Sequence, residues 1–268
     1  MRSMHLQSPV TVTGNQRRLA GVHDDGYFDE RVAARYDETY DYQFRPEAVE
    51  PVVNLLAALA GEGRALELGV GTGRIALSLS RRGVSVHGIE LSRAMADRLK
   101  AKPEAEAVGV TIGDFSTTRV NGSFRLAYIL VNTIMNLTSQ EAQVGCFRNV
   151  AAHLEADGCF VVEVLVPDLQ RLPPGDTHRV FSADERHWGI DEFDVARQGL
   201  VSHHLREVDG RLELRSIPFR YVWPSELDLM AQLAGMRLRD RWADWSREPF
   251  TNDSTKHVSV WEKLAAGT

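Results

Sequence analysis

Two hydrophobic periods take turns along the chain. From Gly26 the residues Tyr27, Phe28, Val32, Ala33, Tyr36 and Tyr40 recur at helical spacing with charges between them, which predicts an amphipathic helix with an aromatic face. Val49 to Ala60 predicts a second helix, ended by Gly61-Glu62-Gly63. Short apolar runs of strand length follow: Leu66 to Leu68, Val84 to Ile89, Val108 to Gly113, Phe124 to Val131 and Cys159 to Val166. Between them, Ile75 to Leu79, the segment from Ser92 through Met95 and Leu99, and Thr138 to Leu154 predict helices. Ser92 is placed as an N-cap, and Thr138-Ser139-Gln140-Glu141 fits a capping box. Strands alternating with helices predict a parallel sheet covered on both faces, and the unbroken apolar run of the fifth strand is what such burial demands.

After the fifth strand the rhythm changes. Pro167 to about Gly189 is rich in Pro, Gly, Asp and Arg and predicts a loop with little regular structure. Leu200 to Glu207 and Arg211 to Tyr221, joined by Val208-Asp209-Gly210, predict a β-hairpin. A helix capped at Ser225 with Leu227, Met230, Ala231 and Ala234 on one face, then strands Met236 to Trp242 and His257 to Trp261, close the chain. Met1 to Asp25 shows no period and reads as a flexible arm. The remainder, 26–268, reads as one domain, with a cap (26–60), a core (61–166 and 224–268) and an insertion (167–223).

The chemistry gathers at strand ends. Gly69, Gly71 and Gly73 follow the first strand on alternate positions, leaving no side chain where the chain bends and a ligand must approach backbone. Glu67 sits in the strand just before, an expensive place for a carboxylate without a partner. Glu90 ends the second strand seventeen residues past Gly73, where an acid in a Rossmann-like unit accepts hydrogen bonds from a ribose diol. Asp114-Phe115 follow the third strand and Asn132 tips the fourth, the edge along which an open α/β sheet binds its ligand.

This ordered set, Glu67-Leu-Gly-Val-Gly-Thr-Gly73, Glu90, Gly113-Asp114-Phe115 and Asn132, resembles the class I S-adenosylmethionine-dependent methyltransferases from about Tyr27 to Lys263. The resemblance implies a Rossmann-like, seven-stranded, mostly parallel sheet with helices on both faces, an N-terminal helical cap and a β-hairpin insertion after strand 5. It implies S-adenosyl-L-methionine as cofactor and S-adenosyl-L-homocysteine as product. The glycine motif would hold the methionine part, Glu90 with Leu91 the ribose, and Gly113-Asp114-Phe115 the adenine. Asn132 would meet both cofactor and acceptor, and Tyr27 and Tyr36 would close over the site from the cap. The small-molecule N- and O-methyltransferases, including those that dimethylate amino sugars, look nearest, since Tyr36-Asp37 is similar to a pair in that group.

Composition narrows the acceptor. A net charge of −6 over 268 residues weighs against RNA or DNA as the main substrate. The apolar runs are too short to span a bilayer and no charged start leads into a secretion segment, so a cytoplasmic protein, monomer or homodimer, is expected. Cys146 and Cys159 read as reduced, buried thiols, and no metal site is expected. Asn132-Thr133-Ile134-Met135 stands where adenine and amide N-methyltransferases carry Asn/Asp-Pro-Pro-aromatic. The expected reaction is SN2 methyl transfer to an amine or hydroxyl of a small molecule. His203, His204 and Tyr221 are the candidates for a base, with His187 behind them; adjacent on a strand, His203 and His204 point to opposite faces, so at most one faces the site. Asp244 and Arg220 are candidate contacts for a charged acceptor. The residues leave open a tRNA or protein methyltransferase and a catalytically silent cofactor binder; the GxGxG spacing disfavours a nicotinamide oxidoreductase.

Overall fold

The computed structural model describes residues 27–208 and 210–265. The arm expected over residues 1–25 and Asp209 of the hairpin turn lie outside the described residues. In chain order the elements are α1 (Glu30–Thr39), α2 (Pro46–Ala60), β1 (Ala65–Leu68), α3 (Arg74–Ser80), β2 (Val86–Glu90), α4 (Arg93–Lys100), β3 (Val108–Ile112), β4 (Phe124–Ile129), α5 (Gln140–His153) and β5 (Leu154–Leu165). They continue with β6 (His178–Ala183), β7 (His187–Asp194), β8 (Gly199–Val208), β9 (Arg211–Arg220), α6 (Pro224–Leu233), β10 (Met236–Trp242) and β11 (Lys256–Lys263).

Seven strands form one sheet in the order β10-β11-β5-β4-β1-β2-β3, with β1 to β5 parallel and β11 antiparallel to both its neighbours. The chain moves outward from β1 through β2 to β3, then crosses back to β4. The order therefore reverses between β1 and β4, and a crevice opens at their carboxyl ends. Successive residues of a strand feed opposite faces, so Phe160, Val162 and Val164 join one core with α5 and α6. Cys159 and Val161 join the other, under α2 and α3. Phe147 packs edge-on against Phe160 and Trp261, with ring centroids 5.0 and 5.5 Å apart. Both cysteines are free and buried, one in each core. Among the described residues no helix is long and apolar enough to cross a membrane.

The insertion holds more structure than its sequence promised. The β8–β9 hairpin is there, and the stretch expected to be loop supplies β6 and the start of β7, giving a four-stranded antiparallel sheet β6-β7-β8-β9. Polar and turn-forming residues mask these two strands. What holds them is ladder pairing, β6 to β7 and β7 to β8, a gain that composition does not report. Two caps also move by a residue or more. Ser139, not Thr138, caps α5 by accepting the Ala142 amide at 3.1 Å, and α6 starts at Pro224, so Ser225 lies within its first turn.

The cap is fastened to the glycine turn by polar contacts. Asp29 caps α1 through the Val32 amide, Thr72 donates its hydroxyl to Asp37 at 2.6 Å, and Lys102 pairs with the same carboxylate. Ser92, while capping α4, also donates to the Phe28 carbonyl at 2.6 Å. Residues of α1 are thereby placed over the carboxyl ends of β1 and β2.

Candidate active site

The site starts with how β1 ends. Gly69, Gly71 and Gly73 have φ of +73°, +55° and +81°, a left-handed path that only glycine takes without strain. A side chain at Gly69 would strike Thr133, whereas one at Gly71 would project into open space bounded by Met95. Gly73 serves the fold, capping α3 and packing on Leu99. The turn is held by Glu90, whose Oε2 accepts the Gly71 amide at 2.7 Å and whose Oε1 accepts the Ser92 amide at 2.9 Å.

Two cavities, of about 240 and 230 Å³, share walls over this turn. Tyr27, Phe28, Tyr36, Gly69, Gly71, Thr133, Asn136 and Ile217 border both. The first extends to Glu90, Leu91, Met95 and Phe115, a carboxylate beside an apolar slot. The second extends to Glu67, Arg74, Asn132, His204 and Phe219. Glu67 is buried, and burial pushes its carboxyl up to about 8, against the pull of the Tyr128 hydroxyl (3.0 Å) and the Arg74 charge. Burial likewise pushes the Tyr36 hydroxyl up to about 12, so it remains a hydrogen-bond donor. Val131 and Asn132 after β4 have φ of +48° and +63°; for a β-branched valine this is strained. The strain is held by the Glu163 carboxylate on the Val131 amide and by Asn132 Oδ1, which accepts the Leu165 amide at 2.8 Å.

The structure thus brings ten of the eighteen residues singled out by sequence to these walls: Tyr27, Tyr36, Glu67, Gly69, Gly71, Glu90, Leu91, Phe115, Asn132 and His204. Besides Gly73, seven others do not line them. Gly113 and Asp114 shape the turn after β3, where Asp114 Oδ1 accepts the Ser116 amide at 2.7 Å. His203 lies on the opposite face of β8, bonded to Ser216 (2.8 Å) and Glu192 (3.3 Å). Tyr221 is 1% exposed, packed in the core between Phe193 and Trp223. Arg220 is not a surface clamp: it is buried against Gln143, Gln198 and Glu226, tying β9 to α5 and α6.

His204 stacks on His187, with ring centroids 5.3 Å apart, and Nδ1 meets Nε2 of His187 at 3.0 Å while Nε2 meets the Ser202 hydroxyl at 3.3 Å. Burial, with His187 and Arg206 nearby, takes it down to about 4. Sequence reasoning missed Phe28, Met95, Thr133, Asn136, Ile217 and Phe219 on the walls. Phe28 and Met95 carried a helical period, and Thr133 sat beside Asn132; Ile217 and Phe219 gave no signal, because which face of a hairpin turns inward depends on what covers it.

Two open clefts adjoin. One, of about 550 Å³, runs between α1 and β8–β9 and shares Tyr27, Tyr36, Tyr40 and His204 with the second cavity. The other, of about 540 Å³, lies beyond Asn132 and Arg74 and includes Asp244, whose carboxylate is engaged by the Ser246 and Glu248 amides.

Known proteins resemble this chain in both sequence and shape. A family model described as a methyltransferase domain matches residues 65–158. The CcbJ methyltransferase of Streptomyces caelestis superposes with a TM-score of 0.80 at 35% identity, covering 90% of this chain and all of that one. The cypemycin N-terminal methyltransferase of a Streptomyces species is 27% identical over 240 residues, 85% of this chain and 97% of its own length. CalS10, an amino pentose methyltransferase from Micromonospora echinaspora solved with S-adenosylmethionine bound, shares the fold with a TM-score of 0.64 at 19% identity, over 85% of this chain and 96% of its own. With a glycine turn, a β2 acid and a sheet order matching that group along nearly the whole chain, this protein belongs to the class I S-adenosylmethionine-dependent methyltransferases.

Proposed function

We propose that the protein methylates an amine nitrogen of a small molecule. S-adenosylmethionine, when bound, supplies a methyl group on a sulfonium sulfur, an electrophile that needs alignment more than activation. The described residues fit it. In this reading the Glu90 carboxylate receives the ribose hydroxyls, and Leu91, Met95 and Phe115 enclose the planar base. The side-chain-free Gly69 and Gly71 let the donor lie against backbone. Glu67 and Asn132 face its amino-acid end, and Tyr27 and Tyr36 exclude water from above. Asp114 sets the turn that positions Phe115.

The observation that carries the acceptor class is the cleft of about 550 Å³ between α1 and β8–β9, which shares four residues with the cofactor cavity. Its volume suits a small molecule rather than a duplex or a folded protein. The wall also favours nitrogen. Both ring nitrogens of His204 are engaged and Tyr221 faces the core, whereas an uncharged amine presents its lone pair without help from a base. The name of the cypemycin N-terminal methyltransferase supports the same atom type.

The test is methyl transfer from a radiolabelled donor to matched panels of small amines and alcohols, with bulk tRNA and denatured protein beside them. Label in the amine panel supports the reading. Label confined to alcohols or macromolecules overturns it, and tight S-adenosylhomocysteine binding with no label anywhere marks a silent binder.

A further inference from the structure

The cleft between α1 and β8–β9 carries charge of the opposite sign to the whole molecule. Among the described residues, Arg31, Arg35, Arg206 and Arg215 line it against Glu207 and Glu213, in a chain of net charge −6. The pattern is built by strand register. His204 stands opposite Arg215, and Arg206 opposite Glu213, so all four share one face of the hairpin. Arg206 and Arg215 are diagonal neighbours across the ladder, with Cβ atoms about 7–8 Å apart, close enough for both guanidiniums to reach one anion. Glu213 does not satisfy both. Its carboxylate pairs with Arg215 on its own strand at 3.4 Å, and among the described residues the Arg206 guanidinium has no ion pair or hydrogen bond. Arg206 is only partly exposed, held over the cleft near Tyr40. Burial and the Tyr27 hydroxyl push the Tyr40 hydroxyl up, while Arg206 and Arg215 oppose them. A half-buried, unpaired guanidinium is costly unless something in the working complex meets it.

We infer that Arg206 and Arg215 form an anchor for an anionic group, a carboxylate or a phosphoryl, carried by the acceptor. This deepens the proposed function and rests on its reading of the cleft as the acceptor's. Geometry adds a length. Arg206 lies two residues along β8 from His204, which borders both the cofactor cavity and the cleft, a step of about 7 Å. The anchor therefore sits on the cleft side of the wall that cleft and cavity share, and suits an acceptor whose anionic group stands well apart from its reacting nitrogen, as across a sugar or heteroaromatic ring. Bidentate guanidinium geometry suits both oxyanions, and the size and charge of the group distinguish them.

The anchor is tested by calorimetric titration of the S-adenosylhomocysteine-loaded protein with inorganic phosphate and with acetate, at matched low ionic strength. A saturable heat is expected for at least one anion. Stronger binding of phosphate assigns a phosphoryl group, and stronger binding of acetate a carboxylate. R206Q and R215Q should each weaken that binding by about tenfold, the loss of one charge-assisted hydrogen bond, with R206K retaining part of it. R197Q, an exposed arginine paired with Asp194 away from the cleft, should leave it unchanged. Loss of S-adenosylhomocysteine binding in none of these variants is expected, which also shows that each is folded. No saturable heat with either anion, or binding that survives R206Q and R215Q, overturns the anchor and leaves the methyltransferase reading standing; amine turnover absent in the wild-type panel would sink the latter independently.

Discussion

In the proposed reading Glu90 joins fold and function at one carboxylate, so its loss makes two separable predictions. Glu90→Ala removes the acceptor of the Gly71 and Ser92 amides, at 2.7 and 2.9 Å, and also removes the acid from the cavity wall. Hydrogen bonds to a charged acceptor contribute about 1.5–3 kcal/mol each. Losing one such bond to the ribose weakens S-adenosylhomocysteine by about 2 kcal/mol, or roughly thirtyfold in Kd. The two orphaned amides cost stability as well, about 1–3 kcal/mol, a fall of several degrees in Tm for a chain of this size. Glu90→Gln is not a gentle substitute. Its oxygen can serve one amide, but its NH2 then faces the other N–H, donor against donor. Titration calorimetry reports the first effect and thermal melting of the ligand-free protein the second. A folded Glu90→Ala variant with wild-type affinity for S-adenosylhomocysteine would refute the placement of the ribose against this residue, whatever its Tm.

Further outcomes follow from the same geometry. Burial holds the Glu67 carboxyl near 8 in the folded protein, far above the ordinary carboxylate value, so between those two pH values the folded state binds the extra proton. Stability of the ligand-free protein should therefore fall as pH rises from about 5 to 8, by at most about 1.4 kcal/mol per unit, and Glu67→Gln should flatten that slope in urea melts; an unchanged slope refutes it. His204→Ala should reduce turnover by opening the wall shared by cavity and cleft, while His203→Ala, on the far face with Glu192 and Ser216, should match wild type at saturating donor. The reverse order of activities would show that the hairpin presents its other face. Arg220→Met should cost about 3 kcal/mol, since Glu226 loses its buried cationic partner, with little change in donor affinity; a wild-type Tm would contradict this.

The contrast between Glu90 and His204 explains what could be read from the chain. Glu90 was legible because its meaning is local: a strand's length past a glycine turn fixes where an acid must sit, and parallel pairing of β1 with β2 does the rest. The same holds for the strand–helix alternation, since each buried strand carries its burial in its own composition. β6 and β7 carry no such mark. Their stability comes from ladder pairing, β6 on β7 and β7 on β8, with partners on which their own residues are silent, and so β6 and the start of β7 read as loop. His203 and His204 fall between these cases. Alternation dictated that one faces in, but only the docking of α1, through Asp37 to Thr72 and Phe28 to Ser92, decides which face of the hairpin is inside. The same docking brings Ile217 and Phe219 to the cavity and puts Arg206 beside the cleft. Residues of the glycine-turn cavity that come from β1, β2 and β4 are therefore encoded by sheet topology, and those of the cleft by how the cap meets the insertion. In the proposed reading, substitutions at positions that line the cleft alone, such as Arg206 and Arg215, change the acceptor while the donor site, anchored in β1, β2 and β4, stays as it is.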